Sequence, residues 1–444
     1  MAATPLLVAA DAGRAAPWSF AIATVLVGLV AACIAVFARR MAAAGSLYSF
    51  TAKGLGGRGA YACAIAMVVG YGLLVAAALA GAAWYGRALV ARLWPAVADG
   101  RGGVLVGAAV VALLASAVAV CAVRGVRLAG RIMLVVESVS IGLILVVLVA
   151  LVVGAGPGVG APAVTTSSSS GGLAGLAAGV LPALAAFIGF DSAASLAVET
   201  RRPFATVPRA VAATAGVAAV LYLTSTVVQL AAPGALPGVA GEADTAATLP
   251  GQLAWTSPLV DVGIIASFSA CSLAALNTLV RVLFSLARDG IMPAALGRTH
   301  RRHLTPAVAV AVTLPPLAAA PLVGTLAGVH PAAVFGALLS VATVGFLTAY
   351  LLVCLAAPRF LSRIGELTRG VVAAAAIAVP ALVAVGVIAI VDAPGAGLPL
   401  VLLALFLAGS AGWVWLRRHR HEALRTMGVY DETTAGDVLT GSLR

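Results

Sequence analysis

The run FIGFDSAASLAVETRRP, residues 187–203, decides how this chain is read. It continues an apolar stretch that begins near residue 173, yet Gly189 interrupts it and a carboxylate, Asp191, follows two positions later. In water this could be an ordinary helix start. The rest of the chain excludes water: 62% of its 444 residues are hydrophobic and 9% charged, too little polar surface to cover a soluble fold. Inside lipid, every backbone N–H and C=O needs a partner, so a helix can break only where protein or a hydrated cavity surrounds it.

Runs long enough to cross a bilayer as helices, roughly 20 residues each, occur at 18–38, 60–86, 103–123, 132–153, 173–198, 209–232, 258–286, 306–323, 331–357, 371–391 and 397–416. They lack the alternation of a transmembrane barrel. The fold class is therefore an all-α integral membrane protein, with a transmembrane domain over 1–416 and a tail over 417–444.

The net charge of +12 is explained by topology. Of the 27 basic residues, all but Arg14, Arg87, Arg92 and Arg101 fall on the side of the loops that also holds the tail. That side is the cytoplasm by the positive-inside rule, which puts the C-terminus inside a multi-pass cell-membrane protein and removes the case for a nucleic-acid partner. The tail after Trp415 is charged and expected to pack poorly, and the Gly-, Pro- and Ser-rich loops at 154–172 and 233–252 read as linkers.

Catalytic and cofactor signatures are missing. The five cysteines lie in five different apolar spans, and the five histidines lie in loops or the tail, so no metal site or cofactor is expected. GLGGRG at 54–59 satisfies a dinucleotide pattern, but no strand precedes it and it joins two membrane helices. A phosphate-cradling G-x-x-x-x-G-K-[ST] loop is also lacking, which argues against an ATP-driven motor in this chain. The chain does not read as an enzyme.

Gly189 can take conformations that other residues avoid, and Asp191 is a strong helix N-cap for the N–H of Ala193 or Ala194. The expectation is one half-helix over 173–188, another over 192–200, and unwound backbone at 188–191. Freed carbonyls at Ala185, Ala186, Phe187 and Ile188 would carry partial negative charge suited to an ammonium group. At the chain start, MAATPLLVAADAG reads as a second half-helix over 5–12: Thr4 caps it, Pro5 opens it and Gly13 ends it. Its free N–H groups at Thr4, Leu6 and Leu7 suit a carboxylate. Two opposed helix ends across a midplane cavity suit a zwitterion. The candidate substrate-binding residues are Thr4, Pro5, Leu6, Phe187, Ile188, Gly189, Phe190 and Asp191. For Gly189 the alternative is close packing, for Asp191 pure capping, and for Phe187 and Phe190 a gate or plain core.

Three segments resemble the amino acid–polyamine–organocation permeases, which have a leucine-transporter-like fold. FIGFDSAASLAVETRRPFATVPRA (187–210) resembles the family's sixth helix and following loop. RRMAAAGSLYSFTAKGLGGRGA (39–60) and RVLFSLARDGIMPAALG (281–297) are similar to its cytoplasmic motif after helix two and the close of helix eight. The resemblance implies a five-plus-five inverted repeat, two extra C-terminal helices, and alternating access around broken helices one and six. It also implies twelve spans, one more than the eleven read here. Eleven spans put residues 1–17 outside without a signal peptide, so the inner half of helix one is read as missing ahead of Met1.

Glu137 lies deep within an apolar span, where an ionisable side chain is a functional candidate. It is read as a proton-coupling group, in the helix where some proton-coupled members of the family are similar in placing a titratable lysine. The alternative is a pairing with Arg131 or a hydrogen bond to a neighbouring helix. Ser267, Ser269 and Ser272 offer hydroxyls in helix eight for an ion or substrate, although hydroxyls also back-bond to helix carbonyls. The function expected is secondary transport of an amino acid or amine, with a small-molecule substrate, H+ as coupling ion and membrane lipid around it. A polyamine or organic-cation carrier, or a truncated non-transporting homologue, is the alternative.

Overall fold

A computed structural model describes residues 4–98, 100–154, 173–231, 257–300, 303, 305–391, 397–425 and 427–428. Among them every regular element is helical. In chain order the helices are α1 (Thr4–Ala12), α2 (Ala16–Ala38), α3 (Leu47–Leu93), α4 (Arg101–Arg124), α5 (Val126–Gly154), α6 (Leu173–Phe187), α7 (Pro203–Ala231), α8 (Ser257–Arg288), α9 (Ala307–Leu326), α10 (Pro331–Arg363), α11 (Arg369–Val391) and α12 (Gly397–His419). Shorter turns lie between and after them. Among the described residues eleven segments are long and apolar enough to cross a membrane, and they overlap the eleven runs read from sequence. The loops read as linkers lie, apart from Gly154, outside the described residues.

The centre of the bundle is α3, which packs chiefly against α10 and α8. At 47 residues it would extend about 70 Å, more than twice the hydrocarbon thickness. It bends at Gly56, whose φ of 75° and ψ of −172° leave the helical region. GLGGRG, expected to join two helices, does so at that single glycine: helix runs up to Gly56 on one side and resumes directly after it on the other.

Small residues set the α3–α10 distance. A Cβ on Gly54 would lie 2.4 Å from the Ala356 carbonyl oxygen, and one on Gly345 would lie 2.9 Å from the Ala66 carbonyl oxygen and 3.0 Å from Gly70 N. Lipid offers no hydrophobic drive for helices to associate, so such backbone-to-backbone approach supplies the dispersion contact that holds the seam.

Polar contacts brace the ends of the bundle. At the arginine-rich end, Arg40 pairs with Glu366 at 2.6 Å and Arg281 pairs with Glu199 at 2.7 Å. At the other end, Arg92 of α3 meets the buried Asp261 of α8 at 2.8 Å. Of the tail's described residues, 417–422 are exposed as expected, while the stretch after them packs. Leu424 and Met427 are buried, and the Gly428 N–H donates to Asp289 Oδ2 at 2.9 Å, an oxygen that also accepts from the Tyr48 hydroxyl at 3.2 Å. Two apolar side chains among the tail's charges cover the bend of α3, where the Leu424 carbonyl comes so close to Gly57 that no side chain fits there.

Candidate functional site

The fifth of the eleven spanning segments, Gly175–Glu199, is broken. Pro182 sits within α6, the helix ends at Phe187, and Gly189 takes φ 103° and ψ −6°, a left-handed conformation that ends the α-helical ladder. The backbone then winds as a 3-10 helix over Phe190–Glu199. Open space surrounds the place a Gly189 Cβ would occupy, so the glycine is there for its φ and close packing does not account for it.

Two details correct the sequence reading. The second half begins at Phe190 and is 3-10, where an α-helix from residue 192 was expected. Asp191 also caps nothing: it lies inside the first turn, with Gly189 at the N-cap position. Its carboxylate is instead taken from outside the helix, Oδ2 accepting from the Tyr71 hydroxyl at 2.7 Å and Oδ1 from the Tyr350 hydroxyl at 2.8 Å. A phenol on each oxygen satisfies a fully buried carboxylate better than one strained backbone N–H could. The clasp ties the break to α3 and α10, the central pair of the bundle. Among the described residues no Lys, Arg or His pairs with Asp191.

An aromatic cluster encloses the clasp. Tyr71 meets Phe346 edge-on with centroids 4.7 Å apart, and Phe190 lies 5.3 Å from Tyr350. On the other side of the break, Phe187 meets Tyr222 of α7 edge-on at 5.4 Å, and Tyr222 stacks on Phe20 of α2. The Tyr222 hydroxyl donates to the Ala186 carbonyl at 2.9 Å, and Ile188 N–H donates to the Ala185 carbonyl at 3.3 Å. Two of the four carbonyls expected to be free therefore have partners.

Beside the break lies a small cavity between α2, α6 and α10, with an exposed wall that is wholly apolar. Phe187 and Ile188 line it with Val27 and Leu184, facing Phe346, Leu347, Thr343 and Tyr350. Its free volume of about 10 Å³ is room for one water-sized sphere. Of the residues expected at the site, only Phe187 and Ile188 reach this wall. Phe190 and Asp191 lie in the aromatic layer behind it. Thr4 is half-buried and Pro5 buried at the start of α1, which packs along α6 but does not line the cavity; the Leu6 side chain lies outside the described set.

Glu137 of α5 accepts the Ser267 hydroxyl of α8 on both oxygens, at 3.2 and 3.0 Å, while Arg131 is exposed. The hydrogen bond to a neighbouring helix is thus the geometry found. The three serines do not converge. Ser269 back-bonds to the Ile265 carbonyl at 2.7 Å, and the Ser272 hydroxyl is buried without a protein partner. No cluster of three or more His, Cys, Asp or Glu suited to a metal occurs among the described residues.

Sequence reasoning missed Tyr71 and Tyr350. The signal was present: a hydroxyl deep in an apolar span needs an acceptor, and these spans offer few acids besides Asp191.

Residues 1–408 match the model of a family described as amino acid permease. The branched-chain amino acid permease BcaP of Bacillus subtilis (strain 168) is 26% identical over 314 residues, which cover 68% of this chain and 66% of that protein. The methylthioribose transporter of the same organism is 26% identical over 316 residues, with 68% and 66% covered. Cationic amino acid transporter 4 of Mus musculus is 29% identical over 325 residues, with 68% and 48% covered. The chain spans just under two thirds of the length of the two bacterial relatives and about half that of the mouse one.

Proposed function

This chain belongs to the amino acid permease family, and on that premise we propose that it is a secondary transporter carrying amino acids or related amines across the cell membrane by alternating access. The observation that carries the reading is the break at Gly189, deep in a spanning segment and beside a cavity. Interrupted helices at membrane depth expose backbone dipoles to a ligand, and their two halves can move independently. The carbonyls of Phe187 and Ile188 at the end of α6 are the partners proposed for an ammonium group. The start of α1 at Thr4–Leu6 is proposed for a carboxylate, because the free N–H groups of a first helical turn carry partial positive charge; α1 packs along α6. The arginine-rich end and the tail are assigned to the cytoplasm.

A screen of thermal stability tests this directly, because a ligand that binds only the folded state raises its melting temperature by mass action. Purified protein in detergent is expected to melt higher with an amino acid at saturating concentration. A panel of amino acids and amines that leaves the melting temperature unchanged would refute the reading.

Glu137 is the proposed proton-coupling group. It is an acidic side chain within a spanning helix, held by a single hydroxyl that cannot neutralise its charge. Glu137→Gln keeps the shape and the bond to Ser267 but cannot release a proton. Uptake driven by an inward pH gradient should disappear in this variant while equilibrium exchange of substrate persists. Gradient-driven uptake at the wild-type rate would remove Glu137 from the coupling step.

A further inference from the structure

We infer that Tyr350 sets side-chain selectivity, screening the Asp191 carboxylate from the cavity so that the site takes a neutral, apolar side chain and rejects a cationic one. This rests on the transport reading above and specifies its substrate. The cavity wall contains two residues with hydroxyls, and both hydroxyls are turned to protein partners. Thr343 donates to the Leu339 carbonyl of its own helix at 2.7 Å, and Tyr350 donates to Asp191 Oδ1 at 2.8 Å. What faces a guest is therefore hydrocarbon and ring surface throughout.

At about 10 Å³ the cavity must widen to take a side chain, and the surface it offers before widening is apolar. With the backbone carbonyls of Phe187 and Ile188 taken by the substrate's α-ammonium, a second cationic group at the end of a side chain loses its water against this wall without a counter-charge. The two carboxylates of this region are unavailable to it. Asp191 is fully buried, holds a donor on each oxygen and lies behind the Tyr350 ring; Glu137 is bonded to Ser267 between α5 and α8, away from the cavity wall. Tyr350 belongs to both the cavity and the clasp, whereas Tyr71 belongs to the clasp alone. The same hydroxyl deletion in the two tyrosines should thus differ in consequence.

The test is binding of leucine and of lysine to the purified protein, followed by thermal shift and by competition, in wild type, Tyr350→Phe and Tyr71→Phe. Wild type should bind leucine about a hundredfold or more tighter than lysine. Tyr350→Phe strips one oxygen of its donor next to the cavity and should narrow that ratio by about tenfold. Tyr71→Phe loses a bond to the same carboxylate and should leave the ratio unchanged, which separates selectivity from a general loosening of the clasp. Equal wild-type affinity for the two amino acids, or an equal change of ratio in both variants, overturns the inference and leaves the transport reading standing. Failure of wild type to bind any amino acid overturns both.

Discussion

Replacing Asp191 with alanine is expected to destabilise the protein by about 2–5 kcal/mol, since two buried phenol hydroxyls would each lose their acceptor. Their rings are 1% and 6% exposed, so water cannot replace the lost oxygen. Breaking a buried polar group by removing one partner is costly, whereas replacing the whole set by apolar groups of similar shape is nearly neutral. The cost of Asp191→Ala should accordingly fall to a small fraction when measured in a Tyr71→Phe, Tyr350→Phe background. Asn, which keeps one acceptor oxygen in the same shape, should cost roughly half of what Ala does. Melting curves of the five proteins check the cycle, and an Asp191→Ala penalty of equal size in both backgrounds would mean that the tyrosines are not what the carboxylate holds.

The second large effect lies in the seam between α3 and α10. Gly54→Ala adds one methyl group, yet that carbon would stand 2.4 Å from a carbonyl oxygen and 2.6 Å from the Cα of Ala356, both backbone atoms that cannot rotate aside. The helices must separate, and overpacking of this kind costs about 1–3 kcal/mol or more. Dispersion falls off within an ångström, so separation also weakens the contact along the rest of the seam. Gly386→Ala on α11 makes the same chemical change where no atom lies within 4 Å, and there the helix preference for alanine should leave stability unchanged or slightly raised. Folded yield on size exclusion in detergent, with melting temperature, distinguishes the two. If both substitutions behave alike, small residues do not set the spacing of this pair.

The effects share a cause. In a membrane protein the unfolded helices are already helical and already in lipid, so stability comes from contacts between helices. The clasp and the seam both join α3 to α10, and the clasp also anchors the 3-10 half of the broken span. A transport cycle that moves this half would therefore work against Asp191, with Arg281 as a second tie through Glu199 at 2.7 Å and the Ser195 carbonyl at 3.4 Å.

The all-helical class, the eleven spans and the interruption at Gly189 were legible in the residues alone, for a local reason. Lipid forces each segment to satisfy its own backbone, so apolar length reports a helix and a glycine followed by an acid reports its failure. The junction at GLGGRG was legible too, but not that a single residue, Gly56, makes it, with helix on both sides and the Leu424 carbonyl against Gly57. The tail was read from its charge, which holds for the exposed 417–422, while Leu424 and Met427 are buried.

What Asp191 does could not come from sequence neighbours, because its partners stand 120 and 159 positions away on two other helices. A carboxylate has two oxygens and accepts the best donors that geometry supplies; locally that meant a cap, and in the fold it meant two tyrosines. The same holds for Ser267, whose partner Glu137 is 130 residues distant. Local chemistry thus determined where the chain crosses the membrane and where it breaks, while the partners of the acids Asp191, Glu137 and Asp261 were chosen by which helices the tertiary packing brought side by side.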